Sequence, residues 1–292
     1  MKKSSIIEIT IQPVVKFFEN DSSRIYRQRE LEKALSENRK KWHLAESITI
    51  SNFIDVLLQK TKLKRIRLDF PNRVETRYVW GDVTSYELAL SLSPDSYLSH
   101  YTAIYLHGLT EQIPKILYLN RELQPTRQQI AELTQESIDM AFGRPARVSH
   151  NIAKYGDEKI CILNSKHTGG LGMITTTGPS GGPIRVTNIE RTLIDIMVRP
   201  VYSGGVYDVL KAYRLAHGKV SVKELIEMLK EMDFVYPYHQ VMGFYLEKAE
   251  LYQSSSIEPL RKMEMKHDFY LTHGMKSTSY SKEWRLFFPK GF

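Results

Sequence analysis

Arginine recurs along the stretch KLKRIRLDFPNRVETRYVW, Lys62 to Trp80, at spacings suited to binding a polyanion. Guanidinium groups bind phosphate oxygens through paired, charge-assisted hydrogen bonds. Apolar and polar residues alternate on both sides of Pro71-Asn72-Arg73, which predicts a two-stranded hairpin with one buried face. A three-residue turn at that break places Arg67 opposite Arg77, an unfavourable pair of like charges that a bound phosphate would relieve.

The preceding stretch, ITISNFIDVLLQK, predicts an amphipathic helix over Thr49–Lys60, with Ser47 or Thr49 as its N-cap. Apolar residues recur there at the spacing of one helix face, at Ile50, Phe53, Ile54, Leu57 and Leu58. The other face carries short polar side chains of the kind that hydrogen-bond base edges in the DNA major groove, at Ser51, Asn52 and Gln59.

The order of these elements, predicted helices followed by a hairpin, is that of a winged helix-turn-helix domain. In such domains the second helix of the motif enters the major groove, while basic side chains hold the phosphates. The sequence therefore predicts DNA contacts at Thr49, Ser51, Asn52, Gln59, Lys60, Arg65, Arg67, Arg73 and Arg77. The alternative is a helical bundle whose hairpin contacts another protein.

The charge of the chain is unevenly distributed. The net formal charge is +8, and residues 1–80 carry 17 Lys and Arg against 10 Asp and Glu, whereas the remainder carries 24 against 23. A local basic excess is typical of a module that binds nucleic acid. The length of 292 residues suits two domains, and Thr84 followed by Glu87 predicts a capping box that begins a new helix. We therefore expect an α+β protein with a winged helix-turn-helix domain over 1–82 and a larger mixed α/β domain over 83–292.

The larger part of the chain contains no motif that indicates catalysis. GPSGGP, Gly178–Pro183, is the best candidate for a phosphate-binding loop, but it lacks the ending of a P-loop and predicts a tight surface turn. His100 and His107 are interpreted as ordinary, partly buried histidines rather than metal ligands. Arg191 lies directly after Glu190 and four residues before Asp195, which indicates a structural ion-pair set on a helix face. We expect no cofactor and no metal.

The compartment is predicted from three features of the sequence. The single cysteine, Cys161, lies within a predicted buried strand, so a disulfide framework is excluded. Apolar runs are too short for a membrane span, and the N-terminal residues lack the apolar region of a signal peptide. We expect a cytoplasmic protein without membrane contact.

Three blocks of the sequence resemble the AbiEi family, antitoxins of abortive-infection toxin–antitoxin systems. They are SYELALSLSPDSYLSHYTAIYLHGLTEQIPKILYLN, IRVTNIERTLIDIMVRPVYSGGVYDVLKAY and the closing EWRLFFP. The resemblance implies an N-terminal winged helix-turn-helix, a C-terminal antitoxin domain, and repression of the protein's own operon through inverted repeats in its promoter. It also implies a nucleotidyltransferase-type toxin, opposed by a type IV mechanism that does not require a stable complex.

Three alternatives to this function remain open from the sequence. The first is a solitary winged-helix regulator without a toxin. The second is a protein that neutralises a toxin by binding it. The third is a nuclease or nucleotide-transfer enzyme targeted to DNA, which would depend on carboxylates such as Glu190 or Asp195.

Overall fold

The computed structural model describes residues 3–124 and 132–292, with side chains described from residue 11 onward in the first helix. The N-terminal part of the chain contains α1 (Lys3–Asn20), β1 (Ile25–Tyr26), α2 (Gln28–Asn38), α3 (Ile50–Lys60), β2 (Leu63–Phe70) and β3 (Arg73–Trp80). Its three strands form an antiparallel sheet in the order β1-β3-β2. Both the predicted helix and the predicted hairpin are therefore present.

Aromatic side chains fill the space between these helices and the sheet. Phe18 stacks on Trp80 with ring centroids 5.1 Å apart, and Trp42 stacks on Phe53 of α3 at 5.9 Å. All four rings are almost completely buried. Buried aromatic rings contribute a large apolar area each, so this cluster fixes α3 against the base of the hairpin.

The rest of the chain mixes helices and strands, which agrees with the predicted α+β class. It contains α4 (Ser85–Leu90), β4 (Tyr97–Leu98), α5 (His100–Leu106), β5 (Ile116–Glu122), α6 (Gln135–Phe142), β6 (Ile152–Tyr155), β7 (Glu158–Ser165), β8 (Met173–Thr177), β9 (Pro183–Thr187), α7 (Ile189–Val198), α8 (Val206–Ala216), α9 (Val222–Glu231), α10 (Tyr238–Lys248), α11 (Ser254–Arg261), β10 (Phe269–Tyr270), β11 (Thr278–Ser281) and β12 (Leu286–Pro289). The predicted capping box of Thr84 and Glu87 is present at the start of α4.

Two sheets organise this larger part. Six strands form a mixed sheet in the order β6-β7-β5-β4-β9-β8, in which β5 is parallel to β7 and β4 is parallel to β9. A smaller sheet, β10-β12-β11, packs beside the helices α7 to α11. Trp284 lies directly over Gly243 of α10, where an added Cβ would sit 2.0 Å from the indole ring. Only glycine therefore permits this contact.

Cys161 lies in β7 and is buried, as predicted. Burial raises the pKa of its thiol to about 11, so the thiolate is scarce at neutral pH. No helix among the described residues combines the length and the apolar character that crossing a membrane requires.

Candidate nucleic-acid interface

The helix α3 presents its predicted polar face to solvent. Its buried side is formed by Phe53, Ile54 and Leu57. Thr49 is the N-cap, and its hydroxyl accepts a hydrogen bond from the backbone N–H of Asn52 at 3.2 Å. The remaining predicted contacts of this helix are all exposed, at Ser51, Asn52, Gln59 and Lys60.

The hairpin has a different register from the predicted one. Its turn contains two residues, Pro71 and Asn72, and the pairing places Arg67 opposite Thr76 and Ile66 opposite Arg77. The predicted pair of Arg67 with Arg77 is therefore wrong. A shift of one residue in register moves every side chain of one strand to the other face of the sheet.

The register error has a physical cause in the packing of the hairpin. The prediction assumed a single buried face, but each face of this hairpin is buried over a different half of its length. Leu63 and Trp80, at its base, pack into the N-terminal aromatic cluster. Leu68 and Phe70, near the turn, lie on the opposite face and pack against residues of the large sheet and α4. The apolar residues of the two strands therefore do not share a face.

Arg65 and Arg67 lie on the face of the hairpin whose base packs against α3. The two arginines are 49% and 67% exposed. Arg65 Nη2 lies 3.4 Å from Asp55 Oδ1 of α3, and its guanidinium stacks over Tyr78. Arg67 Nε lies 2.8 Å from Asp69 Oδ1. We name α3 together with Arg65 and Arg67 the helix–hairpin surface.

Arg73 and Arg77 lie on the other face of the hairpin. Arg73 stacks over Phe70 and donates to Glu75 at 2.8 Å. Arg77 donates to the other oxygen of Glu75 at 3.0 Å and, at 3.2 Å, to the carbonyl oxygen of Ser91, just past α4. Partial burial raises the pKa of Glu75, but hydrogen bonds from both arginines outweigh this and lower the pKa below its usual value.

Arg77 is consequently not available to DNA. Its side chain is 3% exposed, because the larger part of the chain covers this face of the hairpin. The prediction that Arg77 contacts phosphate is corrected on this ground. Across the sheet, Arg77 lies beside Arg27, which follows β1. Both guanidinium groups donate to the carbonyl oxygens of Ser91 and Leu92. Two like charges are tolerated there because both guanidinium groups point at carbonyl oxygens.

Arg39 has a role that the sequence did not indicate. Its guanidinium donates to the carbonyl oxygens of Ala45 at 2.6 Å and Ile48 at 3.0 Å. These bonds tie the segment between α2 and α3 to the end of α2. In the sequence, the run Arg39-Lys40-Lys41 indicates positive charge and no particular contact, so the structure is needed to show this positioning role.

A second concentration of charge surrounds Arg191 of α7. This buried guanidinium donates to Asp195 Oδ1 at 2.8 Å, to the carbonyl oxygen of Leu171 at 2.7 Å and to Thr168 Oγ1 at 3.0 Å. It also donates to the hydroxyl of Tyr97 at 3.3 Å. Burial lowers the pKa of Arg191, but its acidic and phenolic neighbours raise the pKa by more, so the group stays charged.

Glu122 joins this cluster to the glycine-rich loop HTGGLG, residues 167–172. Its carboxylate accepts from the backbone N–H groups of Thr168 at 2.8 Å and Gly170 at 3.3 Å. Partial burial raises the pKa of Glu122, but these hydrogen bonds lower it by more. The sequence did not connect Glu122, Tyr97 and Arg191, because they lie on separate elements far apart along the chain.

The carboxylates that the enzyme alternative requires have structural partners. Glu190 accepts from the backbone N–H of Ser221 at 3.2 Å, and Asp195 pairs with Arg191. Among residues 3–124 and 132–292, no group of three or more His, Cys, Asp or Glu side chains is arranged to hold a metal ion. The two histidines considered from the sequence are buried (His100) and half-buried (His107) on α5 and its C-cap.

No protein-family model matches the chain, and no curated protein does. Among solved structures, the chain is similar to the crystal structure of the RV2827C protein from Mycobacterium tuberculosis, with a TM-score of 0.59. The match covers 96% of this chain and 91% of that one at 12% sequence identity. At this identity the similarity shows a shared fold over nearly the whole chain.

Proposed function

We propose that this protein is a DNA-binding repressor of its own promoter, with a winged helix-turn-helix over residues 1–82. In this proposal α2 and α3 form the helix-turn-helix, and β2 and β3 form the wing. α3 enters the major groove, where Asn52 and Gln59 contact base edges. Arg65 and Arg67 contact phosphates. The protein acts in the cytoplasm and binds inverted repeats as two copies.

One observation carries this proposal: the exposed polar side of α3 and the exposed arginines of the hairpin form one surface. The contact between Asp55 and Arg65 joins them at 3.4 Å. A major groove is about 12 Å wide, which admits a helix while basic side chains beside it reach the phosphate backbone. The basic excess of residues 1–80 supports the same partner.

The proposal is tested by measuring binding of the full chain to the DNA upstream of its own gene and to a scrambled duplex, at two salt concentrations. We expect tighter, salt-sensitive binding to the native sequence. Asn52→Ala and Gln59→Ala should each cost about 1–3 kcal/mol on the native site and little on the scrambled duplex. Equal affinity for the two duplexes would contradict sequence-specific binding.

We further propose that the chain beyond residue 83 acts as an antitoxin against a nucleotidyltransferase-type toxin. This part of the proposal rests on the resemblance of the three sequence blocks to the AbiEi family. Its test is growth of cells that express the reading frame beside this gene, with and without this protein. Growth restored by co-expression supports the antitoxin role, and absence of any toxicity leaves the solitary regulator as the better account.

The mechanism of antitoxicity is tested separately by purifying both proteins together at moderate salt. The type IV mechanism predicts rescue of growth without a stable complex. Co-purification at equal stoichiometry would instead favour neutralisation by direct binding.

A further inference from the structure

A cleft of about 710 Å³ separates the N-terminal part of the chain from the larger part. One wall is formed by residues 22–25, 27, 29 and 30, and the opposite wall by residues 180–183 of the loop 178–183 between β8 and β9. Arg77 and the residues at the end of α4 complete the lining. The volume lies within the range of small-molecule sites, about 300–1,000 Å³.

Two of the four arginines in the cleft are held in place by hydrogen bonds within the protein. Arg27 and Arg77 both donate to the carbonyl oxygens of Ser91 and Leu92. They hold one part of the chain against the other. Arg27 still contributes its charge to the potential of the cleft, because carbonyl dipoles do not cancel a full positive charge, whereas Arg77 is also paired with Glu75 at 3.0 Å.

The other two arginines, Arg24 and Arg29, are exposed and lack a protein partner. Across the described ranges 3–124 and 132–292, neither side chain forms an ion pair or a hydrogen bond. The two acidic residues of the lining are engaged in helix caps. Glu30 accepts from the backbone N–H of Arg27 at 2.7 Å, and Glu87 accepts from that of Thr84 at 2.8 Å. The lining contains four arginines and two glutamates, and Glu75, outside the lining, pairs with Arg77, so a positive excess remains.

The opposite wall offers hydrogen-bond donors. The loop is closed by bonds from Gly178 N–H to the carbonyl of Gly182 at 2.7 Å and from Gly181 N–H to that of Gly178 at 2.9 Å. In the described part of the chain, the N–H groups of Ser180 and Gly182 donate to no acceptor. Gly181 has a φ of +84°, and an added Cβ there would meet nothing within 4 Å. Glycine is thus required by the backbone conformation and not by packing.

We propose that this cleft binds a small anion with two or more phosphate groups. Arg24 and Arg29 neutralise the phosphates from one wall, while Ser180 and the loop amides donate hydrogen bonds from the other. The nonbridging oxygens of a di- or triphosphate chain accept several such bonds at once. Inorganic polyphosphate and the phosphate chain of a nucleotide share this chemistry.

The position of the cleft favours a small ligand over duplex DNA. Arg77 lines the cleft and lies on the hairpin face shared with Ile66, whereas Arg65 and Arg67 project from the opposite face. A duplex on the helix–hairpin surface therefore lies on the other side of the hairpin. The proposal stands independently of the proposed DNA-binding function.

The test is isothermal titration of the full chain with inorganic tripolyphosphate at low salt. We expect saturable binding that weakens about tenfold for each arginine replaced in Arg24→Gln and Arg29→Gln. Ser180→Asp, which places a negative charge on the opposite wall, should also weaken it. Arg65→Gln is the matched control, since it removes one exposed arginine from the other face of the hairpin. Thermal unfolding of each variant without ligand verifies that these exposed substitutions leave the fold intact.

Three results would overturn the proposal. The first is no saturable binding, and the second is an equal loss in Arg65→Gln and in the cleft variants, which would indicate general charge attraction. The third is a loss of duplex DNA affinity in the cleft variants as large as in Arg65→Gln, which would make the cleft part of the DNA surface. A second titration with a nucleoside triphosphate identifies the source of the phosphates. Tighter binding than tripolyphosphate supports a nucleotide, and equal binding supports recognition of the phosphate chain alone.

Discussion

Arg67 and Arg77 carry the same charge on one hairpin, but their surroundings give them different roles. Arg67 is two-thirds exposed and forms a solvent-exposed ion pair with Asp69. Arg77 is buried, and its donors are directed at Glu75 and at the carbonyls beyond α4. An exposed ion pair contributes little to stability, whereas removal of one partner of a buried pair leaves an uncompensated charge.

Arg77→Gln should therefore lower the free energy of unfolding by about 1.5–3 kcal/mol, because the buried hydrogen bonds to Glu75, Ser91 and Leu92 are lost while Glu75 keeps Arg73. Arg67→Gln should change it by less than about 1 kcal/mol. Urea denaturation of the two variants measures the difference. Similar stabilities would mean that Arg77 does not hold the two parts of the chain together.

His100 makes stability depend on pH. Its imidazole is buried and lies 2.8 Å from the hydroxyl of Ser99, and burial lowers its pKa to about 4. An unfolded histidine titrates near 6.5. The stabilisation from the neutral form is thus fully present above about pH 6.5 and is lost as the pH falls towards 4, by ~3 kcal/mol in total.

Comparison of the wild type with His100→Asn isolates this contribution. Asparagine tolerates the left-handed conformation of residue 100, whose φ is +52°. Between pH 6.5 and 4.5, the free energy of unfolding should fall more steeply with decreasing pH in the wild type than in the variant. The difference in slope corresponds to the uptake of about one proton on unfolding. Parallel pH profiles would show that His100 does not titrate as its burial requires.

At the scale of single elements, α3 was predictable because its signals are local. The apolar spacing from Ile50 to Leu58 and the capping threonine lie within one stretch of sequence, and the helix begins and ends where they indicate. The hairpin strands were predictable for the same reason, but their register was not. The packing of Leu68 and Phe70 against distant residues decides it, and no local pattern contains that information.

The N-cap of α3 gives a prediction at this scale. Thr49→Ala should cost about 1 kcal/mol of stability, because the N–H of Asn52 loses its acceptor. Ser47, the other N-cap candidate from the sequence, lies outside the helix and is exposed, so Ser47→Ala should be neutral. Denaturant midpoints of the two variants measure the contrast. A larger loss in Ser47→Ala would show that the helix begins earlier.

At the scale of the whole molecule, the sequence indicated the mixed class but not the arrangement. The large sheet places β4 between β5 and β9, although many residues separate these strands along the chain. Pairings of this kind depend on long-range packing. The same limit applies to the cleft, because GPSGGP alone predicted only a turn, and Arg24 and Arg29 meet it only through the fold.

The structure divides the predicted hairpin contacts between two faces, and this division decides which arginines can reach the phosphates of a bound duplex. Arg65 contacts α3 through Asp55, and Arg67 lies on the same face of the hairpin. Arg73 lies beside the turn on the opposite face, paired with Glu75. If α3 enters the major groove, the arginines of the first face are the ones that reach phosphates.

The most direct test is the salt dependence of binding to the upstream DNA for three proteins: the wild type, Arg65→Ala with Arg67→Ala, and Arg73→Ala. The double variant should reduce the magnitude of the negative slope of log K against log salt by about two units, one for each lost phosphate contact. Arg73→Ala should leave the slope near that of the wild type. A slope that falls for Arg73→Ala and is unchanged in the double variant would contradict the helix–hairpin surface.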